Sequence, residues 1–307
     1  MKFYIVDVFV QKKFSGNQVA VVENSGDLND DEMQKIAREI NFTETVFVQP
    51  EKTENKSYAV RIFTPEKEVE FSGHALLGCA YIVLKLYVSE SLVDSIALQL
   101  PQEIVNVSVE TQTNEIGSEG SAIGTGITKF WIQEQEPVFG RSFEKILLSR
   151  ILSIVPEKID ESHPIIEVDT GLPMIIVPLT ELRALQDVRI NKKRYRWLIS
   201  QANAKCILAF TSETYNPEND VNVRVFADFF GIPEDAATGS GNGGLAAYLS
   251  KYDYFSDRGK KMKLRIEQGY EIDRPSLLFA KCEVDGDRFN VRVGGNVVLV
   301  AEGKFLL

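Results

Sequence analysis

The sequence predicts an α+β protein of two similar domains, each a sheet wrapped around one buried helix. Three observations carry this. The chain has 307 residues, more than one hydrophobic core usually serves. The segment 71–88, FSGHALLGCAYIVLKLYV, is apolar on almost every face from Ala75 onward yet too short to span a bilayer, so it reads as the central helix of a core. The two halves also repeat one another. Val60-Arg61-Ile62-Phe63 leads through a loop to Gly73-His74 and a helix containing Ala80-Tyr81; Val223-Arg224-Val225-Phe226 leads to Gly239-Ser240 and a helix containing Ala247-Tyr248. Two β-rich tetrapeptides alone carry no repeat. The same elements following in the same order do, and they set the glycine ends of both helices toward a shared cleft.

The elements follow from local pattern. FYIVDVFV alternates and reads as a strand, with QVAVV (18–22) as its antiparallel partner across a turn at Gly16-Asn17. In LNDDEMQKIAREINF, Asn29 is an N-cap with Glu32 three residues on, and Met33, Ile36, Ala37 and Ile40 share one helical face. TETVFVQP (43–50) and YAVRIFT (58–64) are strands. After the apolar helix come strand-like runs at SIALQLP, VNVSVET and KFWIQEQ. The Gly/Ser-rich stretch 114–126 reads as a boundary, giving domains at 1–120 and 121–295. In the second half, SFEKILLSRILSIV is an amphipathic helix, PIIEVDTGLPMIIVPL two strands around Thr170-Gly171, and NKKRYRWLISQAN a helix. KCILAFTSE and VNVRVFADFF are strands, and a Gly-rich loop runs into a small-residue helix. From Lys263 the chain reads as a meander with turns at Asp285-Gly286 and Gly294-Gly295.

Composition excludes several classes. Lys plus Arg is 34 against 44 Asp plus Glu, a net charge of −10, so the footprint of a nucleic-acid binder or of a protein for anionic membranes is missing. Cys79, Cys206 and Cys282 are odd in number and widely spaced, with no CxxC, which disfavours a disulfide framework or a zinc ribbon. With two histidines, His74 and His163, and no HExxH, no metal site is predicted. The N-terminus is no signal peptide, because its apolar run carries Asp7 and no cleavage site follows. A soluble, cytoplasmic protein is expected.

Four positions carry chemistry. Gly239-Ser240-Gly241-Asn242-Gly243-Gly244 matches G-x-G-x-x-G, but Ala227–Thr238 separates it from the preceding strand and no βαβ unit follows, so dinucleotide binding is not the reading. Either these glycines let helix-start N–H groups hold an anion such as a carboxylate, or they let a buried helix pack. His74 beside Gly73 is either a proton shuttle or hydrogen-bond donor, or a capped histidine at a helix end. Glu44, where a helix hands over to a strand, is by residue type alone one more solvated carboxylate. Asp235 before the Gly-rich helix is by type a pre-cap carboxylate.

The segments DVF…FSGNQVAVV (7–22), MQKIAREINFTETVFV (33–48), RIFTPEKEVEFSGHALLG (61–78), TGLPMIIVPL (170–179), VRVFADFFGIPEDAATGSGNGGLAAYL (223–249) and RPSLLFAKCEVDGDRFNVRVGG (274–295) resemble, in order, the phenazine-biosynthesis PhzF-like family, relatives of diaminopimelate epimerase. The resemblance implies two pseudo-symmetric domains, each a highly twisted, mostly antiparallel sheet or barrel around a central helix, with the last strand near 296–307 completing the first domain. It implies a homodimer and an isomerase that needs no cofactor. In the phenazine enzyme a proton moves between carbons of a dihydro-hydroxyanthranilate. Glu44 in FTETVFV matches the acid/base, His74 in SGHALLG the active-site histidine, and Asp235 and Ser240 in PEDAATGS further polar site residues. Ser72, Gly73, Thr238, Gly239, Gly241 and Asn242 flank them as substrate-binding positions. Ser72 and Thr238 stand where the epimerases carry cysteines, which disfavours two-thiol racemisation; an epimerase and a non-catalytic binding protein are the alternatives. Ala236 in place of a common proline, and the glycine-rich 241–243, point to a different substrate. Burial beside the cleft is expected to raise the pKa of Glu44 toward neutrality. Because the net charge weakly repels a small anionic substrate, recognition is expected to be local, from helix-start amides and His74.

Overall fold

The computed structural model describes residues 1–24, 26, 28–88, 93–111 and 128–306. They fall into two units, Met1–Ile132 with Gly294–Leu307, and Gln133–Val293. The stretch 114–126, read above as a boundary, lies outside the described residues.

In the first unit β1 (Lys2–Val8) and β2 (Asn17–Glu23) form the expected hairpin. Helix α1 (Asp30–Ile40) follows, started by a capping box in which Asn29 and Glu32 satisfy each other's backbone N–H groups. Then come β3 (Glu44–Lys52), β4 (Tyr58–Phe63), the short β5 (Glu68–Val69), α2 (Gly73–Tyr87), β6 (Ser95–Gln99), β7 (Ile104–Thr111) and β8 (Thr128–Gln133). Pairing is antiparallel except at β2–β3 and β4–β6, where α1 and α2 supply the crossovers. Residues 297–304 pair with β1, and the strand that contains them also pairs with β8. The strands of this unit therefore close on themselves around α2, whose residues 75–80 are all buried. Gly78 seats the helix: a Cβ there would lie 3.0 Å from Val6 Cγ2. On the outer face Met33, Ile36 and Ala37 of α1 pack with Val22, Phe47 and Phe63.

In the second unit β9 (Val138–Ser142), α3 (Lys145–Leu152), β10 (Ile166–Asp169), β11 (Met174–Pro178), α4 (Leu182–Asp187), α5 (Lys192–Ile199) and β12 (Cys206–Thr211) come first. β13 (Val221–Ala227), β14 (Ile232–Asp235), α6 (Gly239–Lys251), β15 (Lys261–Gln268), β16 (Ser276–Asp285) and β17 (Arg288–Lys304) complete it, β17 continuing into the first unit. The hydrogen-bonded order is β9-β10-β11-β12-β13-β15-β16-β17, parallel only at β11–β12 and β13–β15. Helix α6, buried from Gly241 to Leu249, is the crossover between β13 and β15, as α2 is between β4 and β6. Leu148, Ile151, Leu185, Tyr195 and Leu198 of α3–α5 bury the sheet's other face with Ile175, Val177, Ile207 and Phe226.

The repeat has a physical basis in its arginines. Arg61 on β4 forms a two-point ion pair with Glu68 on β5 (2.7 Å, 2.7 Å). Arg224 on β13 does the same with Glu234 on β14 (2.9 Å, 2.7 Å). Each pair ties the return strand that leads into the central helix. The two differ in burial: Arg61 is 30% exposed, whereas Arg224 and Glu234 are 5% and 9% exposed, and Arg224 also donates to the carbonyls of Leu185, Gln186 and Val188. Arg224→Leu therefore strands a buried carboxylate and is expected to cost about 3–5 kcal/mol. Arg61→Leu is expected to cost about 1 kcal/mol or less. Urea unfolding of the two variants checks the contrast.

One reading of the sequence is corrected. Gly294-Gly295 is not a turn but lies inside β17, and glycine is required there because a Cβ on Gly294 would sit 2.3 Å from the Phe130 carbonyl and 2.7 Å from the Trp131 ring. The sequence pattern assigns no element to ELRALQD, which contains the helix α4, too short to show periodicity. Among the described residues no helix is long and apolar enough to cross a membrane.

Candidate active site

Glu44 opens β3 directly after Asn41 ends α1 in a left-handed conformation (φ 56°). In the parallel register Glu44 stands beside Val19 of β2. Val19 is also where Gly78 of α2 rests, and His74 lies one turn earlier on the same face of that helix. This packing brings the start of α2 to the start of β3. His74 Nε2 is 2.6 Å from Glu44 Oε2, with the side chains 13% and 16% exposed. Ser72 Oγ lies 3.4 Å from His74 Nδ1. Ser72 occupies the N-cap position of α2 but makes no capping bond.

The expected rise in the Glu44 pKa is not found. Burial is the largest single influence on this carboxyl and pushes it up. The charge of His74 and hydrogen bonds from His74, Thr43 and Ser72 act against burial, and the net result is a pKa below the ordinary glutamate value. At rest Glu44 is thus a carboxylate, the form that accepts a proton. His74→Gln keeps a donor but removes the charge, leaving burial less opposed. The 13C titration of the Glu44 carboxyl is expected to move to higher pH in that variant; an unmoved titration would mean that His74 does not hold the carboxylate.

In the second unit the structure gathers Asp235, Thr238, Gly239, Ser240, Gly241 and Asn242 at the start of α6. Thr238 Oγ1 donates to Asp235 Oδ2 (2.5 Å), and the Ala237 N–H approaches Asp235 Oδ1 (3.4 Å). Thr238 is the N-cap residue, but its hydroxyl is turned to Asp235 and makes no capping bond. Ser240 is half-buried, and its carbonyl accepts from Thr170 Oγ1 (2.8 Å). Asn242 is fully buried and directs its amide N–H groups to the Thr238 carbonyl and Gln268 Oε1. The glycines of this segment answer to packing: a Cβ on Gly241 would sit 2.5 Å from Met174 Sδ, and one on Gly243 2.8 Å from Glu134 Cγ. Of the two readings of the Gly-rich run, close packing accounts for Gly241 and Gly243. The uncapped first turn retains the capacity to hold an anion.

Two residues of this region are not among the sequence candidates. Gln268, at the end of β15, is fully buried and bonded to the segment 235–242. Its partners lie some thirty positions away in the chain, so no local motif marks it. Glu134, just past β8, is 7% exposed, and among the described residues its carboxyl has no hydrogen bond or ion pair. Burial pushes it up to about 8. Nothing in KFWIQEQ distinguishes it from the exposed Glu136 beside it. Burial also pushes the Cys79, Cys206 and Cys282 thiols up, away from the reactive thiolate. Among the described residues no group of three His, Cys, Asp or Glu side chains is arranged to hold a metal ion.

Comparison with known proteins gives a consistent picture. The model of the family described as phenazine biosynthesis-like protein (PhzC-PhzF) matches residues 6–303. An uncharacterised isomerase of Clostridium acetobutylicum is 31% identical over 312 residues, covering 99% of this chain and 97% of that protein. The trans-2,3-dihydro-3-hydroxyanthranilate isomerase of Pseudomonas chlororaphis is 31% identical over 307 residues, covering 99% of each. The crystal structure of a PhzF-family phenazine biosynthesis protein from Bacillus anthracis superposes with a TM-score of 0.86 at 26% identity, over 100% of this chain and 99% of that one. A probable proline racemase from Agrobacterium radiobacter shares the fold at a TM-score of 0.60 and 10% identity, over 100% and 93% of the two chains.

Proposed function

The chain belongs to the phenazine biosynthesis-like (PhzC-PhzF) family, a family of isomerases, and from that premise we propose that it moves a proton between carbons of a small amino- or hydroxy-carboxylic acid, with Glu44 as the acid/base. The observation that carries this reading is the Glu44–His74 pair, largely withdrawn from solvent at the start of a buried helix.

The chemistry follows from the charge state of that pair. The Glu44 carboxylate takes a proton from one carbon of an unsaturated acid. The electrons of that C–H bond form a new C=C bond, the existing double bond shifts, and the far carbon takes the proton back from the Glu44 carboxyl. One carboxyl serves both transfers, and the substrate is neither oxidised nor reduced. His74 donates toward the reacting region and balances the charge on Glu44. When a bound substrate separates His74 from Glu44, the influence that holds the carboxyl down is weakened and burial makes Glu44 a stronger base, as carbon-acid chemistry requires. Asp235 and Ser240 enter as substrate-orienting groups by their motif positions. The helix-start N–H groups near Gly73, in the unit that holds Glu44 and His74, suit a substrate carboxylate.

The test is incubation with trans-2,3-dihydro-3-hydroxyanthranilate, the substrate in the relative's name, and with smaller unsaturated amino and hydroxy acids. The products are followed by proton NMR. Isomerisation of at least one is expected. Racemisation without double-bond migration would instead support an epimerase.

A further inference from the structure

The side chain of Gln268 is fully buried at the end of β15. Its Oε1 accepts from the Thr238 backbone N–H (3.2 Å) and from Asn242 Nδ2 (2.8 Å). Its Nε2 donates to the Asp235 carbonyl (2.8 Å) and to Thr238 Oγ1 (3.1 Å). Two hydrogens and two lone pairs are all that a primary amide offers, and here all four go to the one segment that joins β14 to α6. The neighbouring backbone closes on the same segment. Gly269 has φ +79°, and a Cβ there would lie 2.7 Å from the Ala236 carbonyl, while Ser276 Oγ donates to that carbonyl (2.7 Å).

This arrangement fixes a direction. A threonine hydroxyl has a single hydrogen. Because Gln268 donates into Thr238 Oγ1, that hydrogen is left to point at Asp235 Oδ2, 2.5 Å away. The chain of bonds runs from the Gln268 amide through the Thr238 hydroxyl to the Asp235 carboxylate, with the donor polarity set at its buried end. We propose that Gln268 is a positioning residue, acting through Thr238 to hold the Asp235 carboxylate as an oriented acceptor for a donor group of the substrate. The inference rests on the proposed role of Asp235 in binding substrate, and it extends the functional residues to a side chain that touches no substrate.

The experiment uses Gln268→Leu, Thr238→Val and Thr238→Ser in the full chain, with two readouts. The first needs no substrate: the 13C titration of the Asp235 carboxyl. Loss of the hydroxyl donor in Thr238→Val, or of its orientation in Gln268→Leu, is expected to move that titration to higher pH, and Thr238→Ser is expected to return it to the wild-type position. The second is steady-state kinetics, where Gln268→Leu and Thr238→Val are each expected to lower kcat/KM by about 10- to 100-fold, the usual effect of losing a hydrogen bond to a charged group. The isosteric Thr238→Val keeps the test decisive should Gln268→Leu fold poorly. An Asp235 titration unmoved in Thr238→Val overturns the proposal, as does wild-type kcat/KM in that variant. If the wild-type protein turns over none of the candidate acids, it is the proposed reaction that fails, and the titration still decides the role of Gln268.

Discussion

Glu44→Gln is expected to lower kcat by about 10²- to 10⁴-fold, the range that general acid–base catalysis contributes. The amide is isosteric with the carboxylate, and its oxygen can still accept from His74, which stands 2.6 Å from the carboxylate in the native protein. The site therefore keeps its shape while losing the proposed proton acceptor. KM is expected to stay within a few-fold, because the substrate carboxylate is assigned to backbone N–H groups rather than to this side chain. Stability is expected to change little, since the desolvation cost removed with the buried carboxylate offsets the lost attraction to His74, whose hydrogen bond the amide oxygen keeps. Steady-state kinetics together with thermal unfolding separate these effects. A kcat within ten-fold of wild type, with unchanged unfolding, would assign the base to another residue.

The second large effect is on stability and concerns Glu134. The carboxyl is buried with no compensating partner among the described residues, and burial pushes its pKa up to about 8, against 4.5 for the same group in the unfolded chain. The folded state thus holds a proton that the unfolded state releases. Below pH 4.5 both states are protonated and there is no penalty. As pH rises toward 8 the native protein loses stability relative to a chain without this group, and above 8 the loss levels off. Glu134→Gln presents a similar neutral group that does not titrate. It is expected to be more stable than wild type by about 3 kcal/mol at pH 7 and by up to about 5 kcal/mol at pH 9, with no difference at pH 4, at 1.36 kcal/mol per pH unit. Urea unfolding from pH 4 to 9 checks this, and parallel curves for the two proteins would contradict it. The same substitution leaves the space beside Gly243 filled, so no cavity obscures the comparison.

The fold was legible where pattern and burial agree. Helix α2 is apolar all round because strands enclose it, and α1 announces itself through Asn29 and Glu32. The repeat was visible because each half needs an arginine on the strand before its central helix, Arg61 and Arg224, to hold the return strand. The candidate site was less legible. Residue type alone leaves Glu44 as one more surface carboxylate, and only resemblance to a family singled it out. Its pKa was misjudged because the resemblance implied the burial of Glu44 but not the charge and hydrogen bond of His74, which oppose it. Gln268 and Glu134 were invisible for a related reason: each takes its meaning from residues distant in the chain. The glycine pair at 294–295 looked like a turn because glycine serves tight turns and close contacts equally well.

The central claim is that one carboxyl, Glu44, carries the proton from carbon to carbon. The most direct measurement uses trans-2,3-dihydro-3-hydroxyanthranilate deuterated at the carbon that loses hydrogen and follows the label by NMR during turnover. With the wild-type protein the label is expected to leave that carbon at the rate of isomerisation, passing to the accepting carbon or to water. With Glu44→Gln it is expected to stay in place, its departure slowed by at least about 100-fold. Departure of the label at the wild-type rate from Glu44→Gln would contradict the claim.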